Sequence, residues 1–339
     1  MSDWLKFFFV RLPLAALAIA VVTEVIAALL SGVTLHRHSV DDLANAVLRD
    51  GHPYRVVLLG DSVTHNVAHK YRIGDAGEVA DLTTHAYAGL PSSLFLLKRY
   101  LESGHRPQHV VITASRDVYT IPIEKPTFTY YVTSVFKNPY ERDFLQRHYG
   151  GYVNYSWRPA ALSVTTKIGE PLFSLVRRPG DQIWTATDVA VATPALEEFQ
   201  GPPYNEKQFQ ERLAEPTVIR PEARAILDQI CALSRQYGFT LHIVWPPVQV
   251  RLHQTLQANG TLKSIDEQLA AVFKENGVSV SIQDSDDRHV YPYFDRDLVH
   301  IKGLGWEQTY ANDLSSYIHE FDGPASRISS LTTSGRQGP

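Results

Sequence analysis

The chain of 339 residues is 44% hydrophobic and 20% charged, which suits one sizeable α/β domain with an appendage, or two modest domains. Its net charge of −4 carries no basic signature, which argues against a nucleic-acid partner. A single cysteine, Cys231, excludes an intrachain disulfide.

Leu12 to Leu30 is apolar apart from Pro13, Thr23 and Glu24, and Trp4, Phe7, Phe8 and Phe9 precede it. With its flanks the stretch reaches the roughly 20 residues that cross a bilayer. Lys6 and Arg11 sit ahead of it, so the expected arrangement is a cytoplasmic N-terminus and a domain held outside the cytoplasm. An uncleaved signal anchor over 1–38 is the leading expectation, ahead of a cleaved signal and of a buried helix. The apolar stretch is long for a signal peptide, and no clear Ala-x-Ala site follows it.

Ser39 to Asp50 reads as a short helix capped by Ser39. Val56 to Leu59 then has the β-branched, apolar character of a strand buried on both faces. It stops at Gly60-Asp61-Ser62, and Val63 to Tyr71 contains no Gly or Pro and can continue as a helix. A strand that turns into a helix through Gly-Asp-Ser sets a serine hydroxyl at the carboxyl edge of a parallel sheet, where open α/β folds bind their ligands. The first free N–H groups of that helix point the same way. Ser62 is therefore the candidate nucleophile.

Ala80 to Tyr87 is a weaker strand candidate. Pro91 to Ser103 is a helix, with Pro in its first turn, Leu94, Leu97 and Leu101 in helical spacing, and Gly104 at its end. His109 to Ser115 is another buried strand, and the βαβαβ rhythm implies a parallel sheet. From about 120 to 219 the rhythm breaks in a segment rich in Tyr, Phe, Trp and Pro, to which periodicity assigns no element. Such an insertion beside a sheet edge is expected to be a cap, a substrate wall or a docking surface. The pattern resumes with a helix over Pro221 to Tyr237, a strand over Phe239 to Trp245, a helix over Ser264 to Glu275 and a strand over Val278 to Ile282. Gly303 to Phe321 is a last helix, and 322–339 is a polar tail expected to be disordered.

A serine at neutral pH needs a base within hydrogen-bond reach and a group that orients the base. Asp297-Leu-Val-His300 lies between the last strand and the last helix, again at the carboxyl edge. Three residues apart, Asp297 can hold one nitrogen of His300 while the other faces Ser62; Asp295 is a second candidate for that role. His65 and His69, at i and i+4, have a zinc-compatible spacing, but position 66 is Asn rather than a catalytic Glu, and a surface or pocket-rim role is the simpler reading. No Walker or dinucleotide glycine pattern is present, and no cofactor or metal is expected.

Gly60-Asp61-Ser62 joined to a terminal Asp297-Leu-Val-His300, with Gly89 between them, resembles the SGNH (GDSL-type) serine hydrolase superfamily. The likeness spans roughly 56 to 318 and implies a three-layer α/β fold of flavodoxin-like type over 39–321. It implies Ser62 as nucleophile, His300 as general base and acid, Asp297 as its orienter, and backbone N–H groups of Ser62 and Gly89 as the oxyanion hole. The family's third block supplies a glycine and an asparagine. Here the matching strand runs into Thr113-Ala-Ser-Arg-Asp117 without an asparagine, leaving Ser115 or Arg116 as substitutes or a hole with two donors.

The resemblance is to divergent membrane-anchored members that act in cell-surface polysaccharide acylation. It implies O-acyl transfer or O-acetyl ester hydrolysis on an exported polysaccharide, through an acyl-Ser62 intermediate and with a membrane acyltransferase as a possible partner. Lipid or small-ester hydrolysis is the alternative enzyme. A non-catalytic glycan-binding or scaffold member of an acylation complex is the alternative from another class.

Overall fold

The computed structural model describes residues 39–49, 51–75, 77–84, 88–123, 125–151, 206–283, 290–291, 298, 300–301 and 304–322, with scattered positions before residue 23. The chain divides into two units, 1–39 with 154–181 and 40–153 with 182–339. The elements below belong to the second, apart from Ser39 itself. Among the described residues no helix is long and apolar enough to cross a membrane, so the expected transmembrane helix finds no support there. Most of Leu12 to Leu30, all of 152–205 and the tail from 323 lie outside the described residues.

The core is a five-stranded sheet, every neighbouring pair parallel, in the order β2-β1-β3-β4-β6. The strands are β1 (Val56–Gly60), β2 (Val79–Asp81), β3 (His109–Thr113), β4 (Thr240–Val244) and β6 (Val280–Ile282). Val248–Gln249 (β5) and Val290–Tyr291 (β7) form a separate parallel pair. β1 is buried along its whole length, as a central parallel strand covered on both faces must be. Of the expected strand over Ala80 to Tyr87, β2 takes in Ala80 and Asp81 at the sheet edge, Leu82 and Thr84 still donate to β1, and 85–87 lie outside the described residues.

Helices cover both faces. On one, α2 (Ser62–Ala68) and α11 (Leu304–His319) pack together over Val56, Leu58 and Val111. On the other, α3 (Gly89–Glu102) packs against α8 (Pro221–Tyr237). Sequence chemistry explains the bounds of α8. Pro221 takes the first turn, where a missing N–H costs nothing, and Gly238 ends the helix at φ +79°, a conformation that glycine adopts without a Cβ penalty. On that second face α10 (Thr261–Glu275) packs against α8, and α9 (Val250–Ala258) packs against α10; α1 (Ser39–Ala46) precedes β1.

Within the aromatic-rich segment the structure places regular elements that periodicity missed. They are α5 (Lys125–Phe128), a π turn over Thr129–Thr133, α6 (Pro139–Tyr149) and α7 (Glu206–Leu213), and α4 (Arg116–Thr120) leads into the segment. The start of α6 has a signal in sequence, because Asn138 and Glu141 form a reciprocal capping box around Pro139. Glu141 is also buried and accepts from Arg99 Nε at 2.6 Å and Nη2 at 2.9 Å, which fastens α6 to α3. Aromatic rings finish that contact: Phe95 meets Phe136 at 5.0 Å and Phe144 edge-on at 5.8 Å.

At the carboxyl end of β1 the sheet is drawn tight. A Cβ on Gly60 would sit 2.4 Å from Thr113 Oγ1 and 2.9 Å from the Thr113 carbonyl. The Thr113 carbonyl also accepts from Asp61 N at 3.2 Å, so it cannot retreat without loosening β1 from β3. Gly60→Ala is expected to destabilise the fold by about 2 kcal/mol through overpacking. Urea unfolding would measure this, and a variant as stable as the wild type would show that the strands separate freely here.

Candidate active site

The strand order reverses direction between β1 and β3, and in open α/β sheets the ligand crevice lies beyond the carboxyl ends at such a point. Ser62 leaves β1 on one side of it and Ser115 leaves β3 on the other. His300 reaches the same edge from the segment before α11, and its Nε2 lies 2.8 Å from Ser62 Oγ. The two residues are 238 positions apart in the chain, so only the fold brings them together. Asp297 and Asp295 lie outside the described residues.

Two apolar anchors flank His300. Leu298, 1% exposed, is buried with Phe209, Val248, Leu252, Leu256 and Leu262, while Ile301 joins the other cluster beside Val63 and Val67 of α2. Leu298 holds φ at +59°, the left-handed region that costs a leucine roughly 1–2 kcal/mol. Burial of its side chain among five apolar neighbours offsets that strain, and the segment is thereby pinned on both sides of the imidazole.

Ser62 is itself buried and opens α2. As a first-turn residue its N–H has no partner within the helix and lies at the helix's positive end. Asp61 caps the helix, accepting from Val63 N at 3.0 Å through Oδ1. Its other oxygen, Oδ2, accepts from Ser115 N at 2.7 Å and from the Ser115 hydroxyl. Burial raises the Asp61 carboxyl above its ordinary pKa, opposed by the Ser115 hydroxyl, which favours the charged form.

The position of Ser115 changes its expected part. Both of its donors are spent on Asp61, so Ser115 braces the turn that carries Ser62 and has no donor left for an oxyanion. Arg116 Nη2 bonds Glu215 and the Arg212 carbonyl, while its Nη1 is buried without a hydrogen-bond partner among the described residues. Gly89 opens α3 at φ +54°, with no side-chain cap ahead of it. A Cβ there would meet the tip of Ile123 at 2.7 Å, which can move aside, so it is the backbone conformation that calls for glycine. The second helix N-terminus at this edge therefore starts with an N–H on a residue that has no side chain to screen it.

Behind Ser62, Tyr310 of α11 meets Thr64 Oγ1 at 3.2 Å, joining α2 to the last helix through a buried polar contact. Burial drives the Tyr310 phenol upward, so it stays a neutral hydrogen-bonding group. His65 turns its Nδ1 to the Thr83 carbonyl at 3.2 Å, and its ring stacks on His69 at 5.7 Å. Burial, then the neighbouring His69, lowers His65 to about 4, so it is neutral near pH 7. The one group of potential metal ligands among the described residues is Asp75, Glu78 and His319, and both carboxylate oxygens of Glu78 are occupied by Arg55 and by the Asp75 N–H.

No family model matches this chain, and neither the curated proteins nor the solved structures include a significant match to it. The functional reading therefore rests on the geometry and the sequence pattern.

Proposed function

We propose that this chain is a serine acyl-transfer enzyme of the SGNH kind, acting through an acyl-Ser62 intermediate. The observation that carries the reading is the 2.8 Å contact between Ser62 Oγ and His300 Nε2 at the carboxyl edge of a parallel sheet. That distance lies within the range a general base needs to take the hydroxyl proton.

In the proposed reaction His300 Nε2 removes the Ser62 proton as Oγ attacks the acyl carbonyl carbon. The electron pair of the C=O moves onto oxygen, beside the N–H of Ser62 and the N–H of Gly89 as the proposed donors. When the tetrahedral species collapses, the ester bond breaks and His300 gives its proton to the departing alkoxide. A second acceptor then attacks acyl-Ser62, with His300 again as base, and frees the hydroxyl. Asp297 is the proposed orienter of the imidazole. Each oxyanion donor is worth about 3 kcal/mol in comparable sites.

Water as acceptor makes the protein an esterase, and a sugar hydroxyl makes it an O-acyltransferase. An exported polysaccharide is the proposed substrate. The apolar N-terminal stretch is proposed as the anchor that keeps the enzyme outside the cytoplasm, with a membrane acyltransferase as the proposed donor partner. The test is incubation of the protein with p-nitrophenyl acetate, followed by intact mass. The wild type is expected to release nitrophenol and gain one acetyl group on Ser62, and Ser62→Ala is expected to do neither. Equal release by both proteins, with no adduct, would defeat the proposal.

A further inference from the structure

We propose that Asp61 and Ser115 are positioning residues for the nucleophile, forming a cross-strand lock that fixes the Ser62 turn against the end of β3. The inference rests on the acyl-Ser62 reading and deepens it. Asp61 is a helix cap by its local sequence, a role that needs only one carboxylate oxygen. The carboxyl does more. Oδ1 accepts from Val63 N at 3.0 Å, within the nucleophile's own helix. Oδ2 accepts from Ser115 N at 2.7 Å and from the Ser115 hydroxyl, on the turn that leaves β3. One planar group thus ties the turn bearing Ser62 to the turn on the far side of the crevice.

The surroundings suit a rigid device. Asp61 is 3% exposed, and β1 and β3 are held in register up to Gly60 and Thr113 at the base of the two turns. Asp61 N donates to the Thr113 carbonyl at 3.2 Å, so backbone and side chain of one residue clamp the same pair of strands. The absence of Cβ at Gly60 permits that approach, because Thr113 lies where the Cβ would be. The consequence falls on Ser62, the next residue. Its N–H and Oγ take their directions from the Asp61 peptide, and a misplacement of about 1 Å at a reacting group can cost about 100-fold in rate. The Ser115 side chain, which carries no donor toward the reaction, acts through Asp61.

The lock makes distinct demands of the two residues. Asp61→Asn keeps size and shape but supplies only one acceptor oxygen, so an amide NH2 meets a Ser115 N–H donor. Ser115→Ala removes the hydroxyl donor and keeps the backbone one. Ser115→Thr keeps both. The test is steady-state kinetics of full-length wild type and these variants on p-nitrophenyl acetate, with thermal unfolding of each and of a core variant, Leu227→Ala, as the stability control.

The lock predicts that Asp61→Asn lowers kcat about 10- to 100-fold with KM changed less than about 3-fold. Ser115→Ala should lower kcat less, Ser115→Thr should restore it, and Leu227→Ala should lose thermal stability without losing kcat. An Asp61→Asn protein that turns over at the wild-type kcat overturns the lock while leaving the acyl-Ser62 reading intact. A wild type that neither turns over nor acylates Ser62 overturns both. Losses of kcat that track thermal stability in all variants, Leu227→Ala included, also overturn the positioning role.

Discussion

Replacing His300 by glutamine is expected to lower turnover of an ester probe by about 1,000-fold or more, with little change in stability. The expectation comes from the contact that sets the base on the nucleophile candidate, Ser62 Oγ to His300 Nε2 at 2.8 Å. A glutamine can accept or donate a hydrogen bond there, but its amide has no accessible proton-transfer pKa, so the serine stays protonated as it attacks. Groups that act as a unit are strongly non-additive. The double variant Ser62→Ala with His300→Gln should therefore be no slower than Ser62→Ala alone. A residual rate in His300→Gln near that of the wild type would assign the base to another group.

Acid should also destabilise the fold, by a route remote from the site. His109 and His242 occupy neighbouring strands on the α11 face, Nδ1 to Nε2 at 3.1 Å, with the Phe321 ring 4.0 Å from His242 and 4.6 Å from His109. Burial, then repulsion from His109, holds His242 down to about 3 from its ordinary 6.5. The folded state thus refuses a proton that the unfolded chain accepts below about pH 6.5, and the slope of stability with pH is positive over that window. Stability from the neutral imidazole is full above the unfolded value and is lost as pH falls toward 3. By pH 4 the loss from His242 alone is of order 3 kcal/mol, counting about 1.4 kcal/mol for each unit of difference.

His242→Phe keeps an aromatic ring against Phe321 and removes the titration. Urea unfolding at pH 7 and pH 4 should show the wild type losing about 3 kcal/mol more than this variant across the interval. Equal losses would mean that the imidazole takes up its proton without cost. His65, lowered to about 4, contributes in the same direction over a narrower window and is common to both proteins.

Much of the scaffold is readable from residue order alone. Val56 to Leu59 and Val110 to Ile112 are β-branched or leucine runs too short for helices, and each became a buried strand. Pro221 and Gly238 mark the two ends of α8 because each conformational preference is local. The same locality makes α6 legible from Asn138, Pro139 and Glu141, although a search for apolar periodicity passes over it, since only one face of this polar helix carries Phe144 and Leu145 inward. α9 was missed for a related reason: its buried positions, Leu252, His253 and Leu256, include a histidine that does not register as apolar.

Residue order settles a set of local facts: a strand that ends in Gly60-Asp61-Ser62, a helix that follows it, and a second segment carrying Asp297 and His300. Those facts depend on backbone sterics, capping and side-chain period, all of which act within a few residues. The tertiary structure alone decided three others: the 2.8 Å approach of His300 to Ser62, the commitment of both Ser115 donors to Asp61, and the left-handed Leu298 wedged into an apolar cluster. Each is a contact between elements brought together by strand order, and strand order follows from burying apolar faces on both sides of one sheet. That choice is made by the whole chain at once, so no local pattern records it.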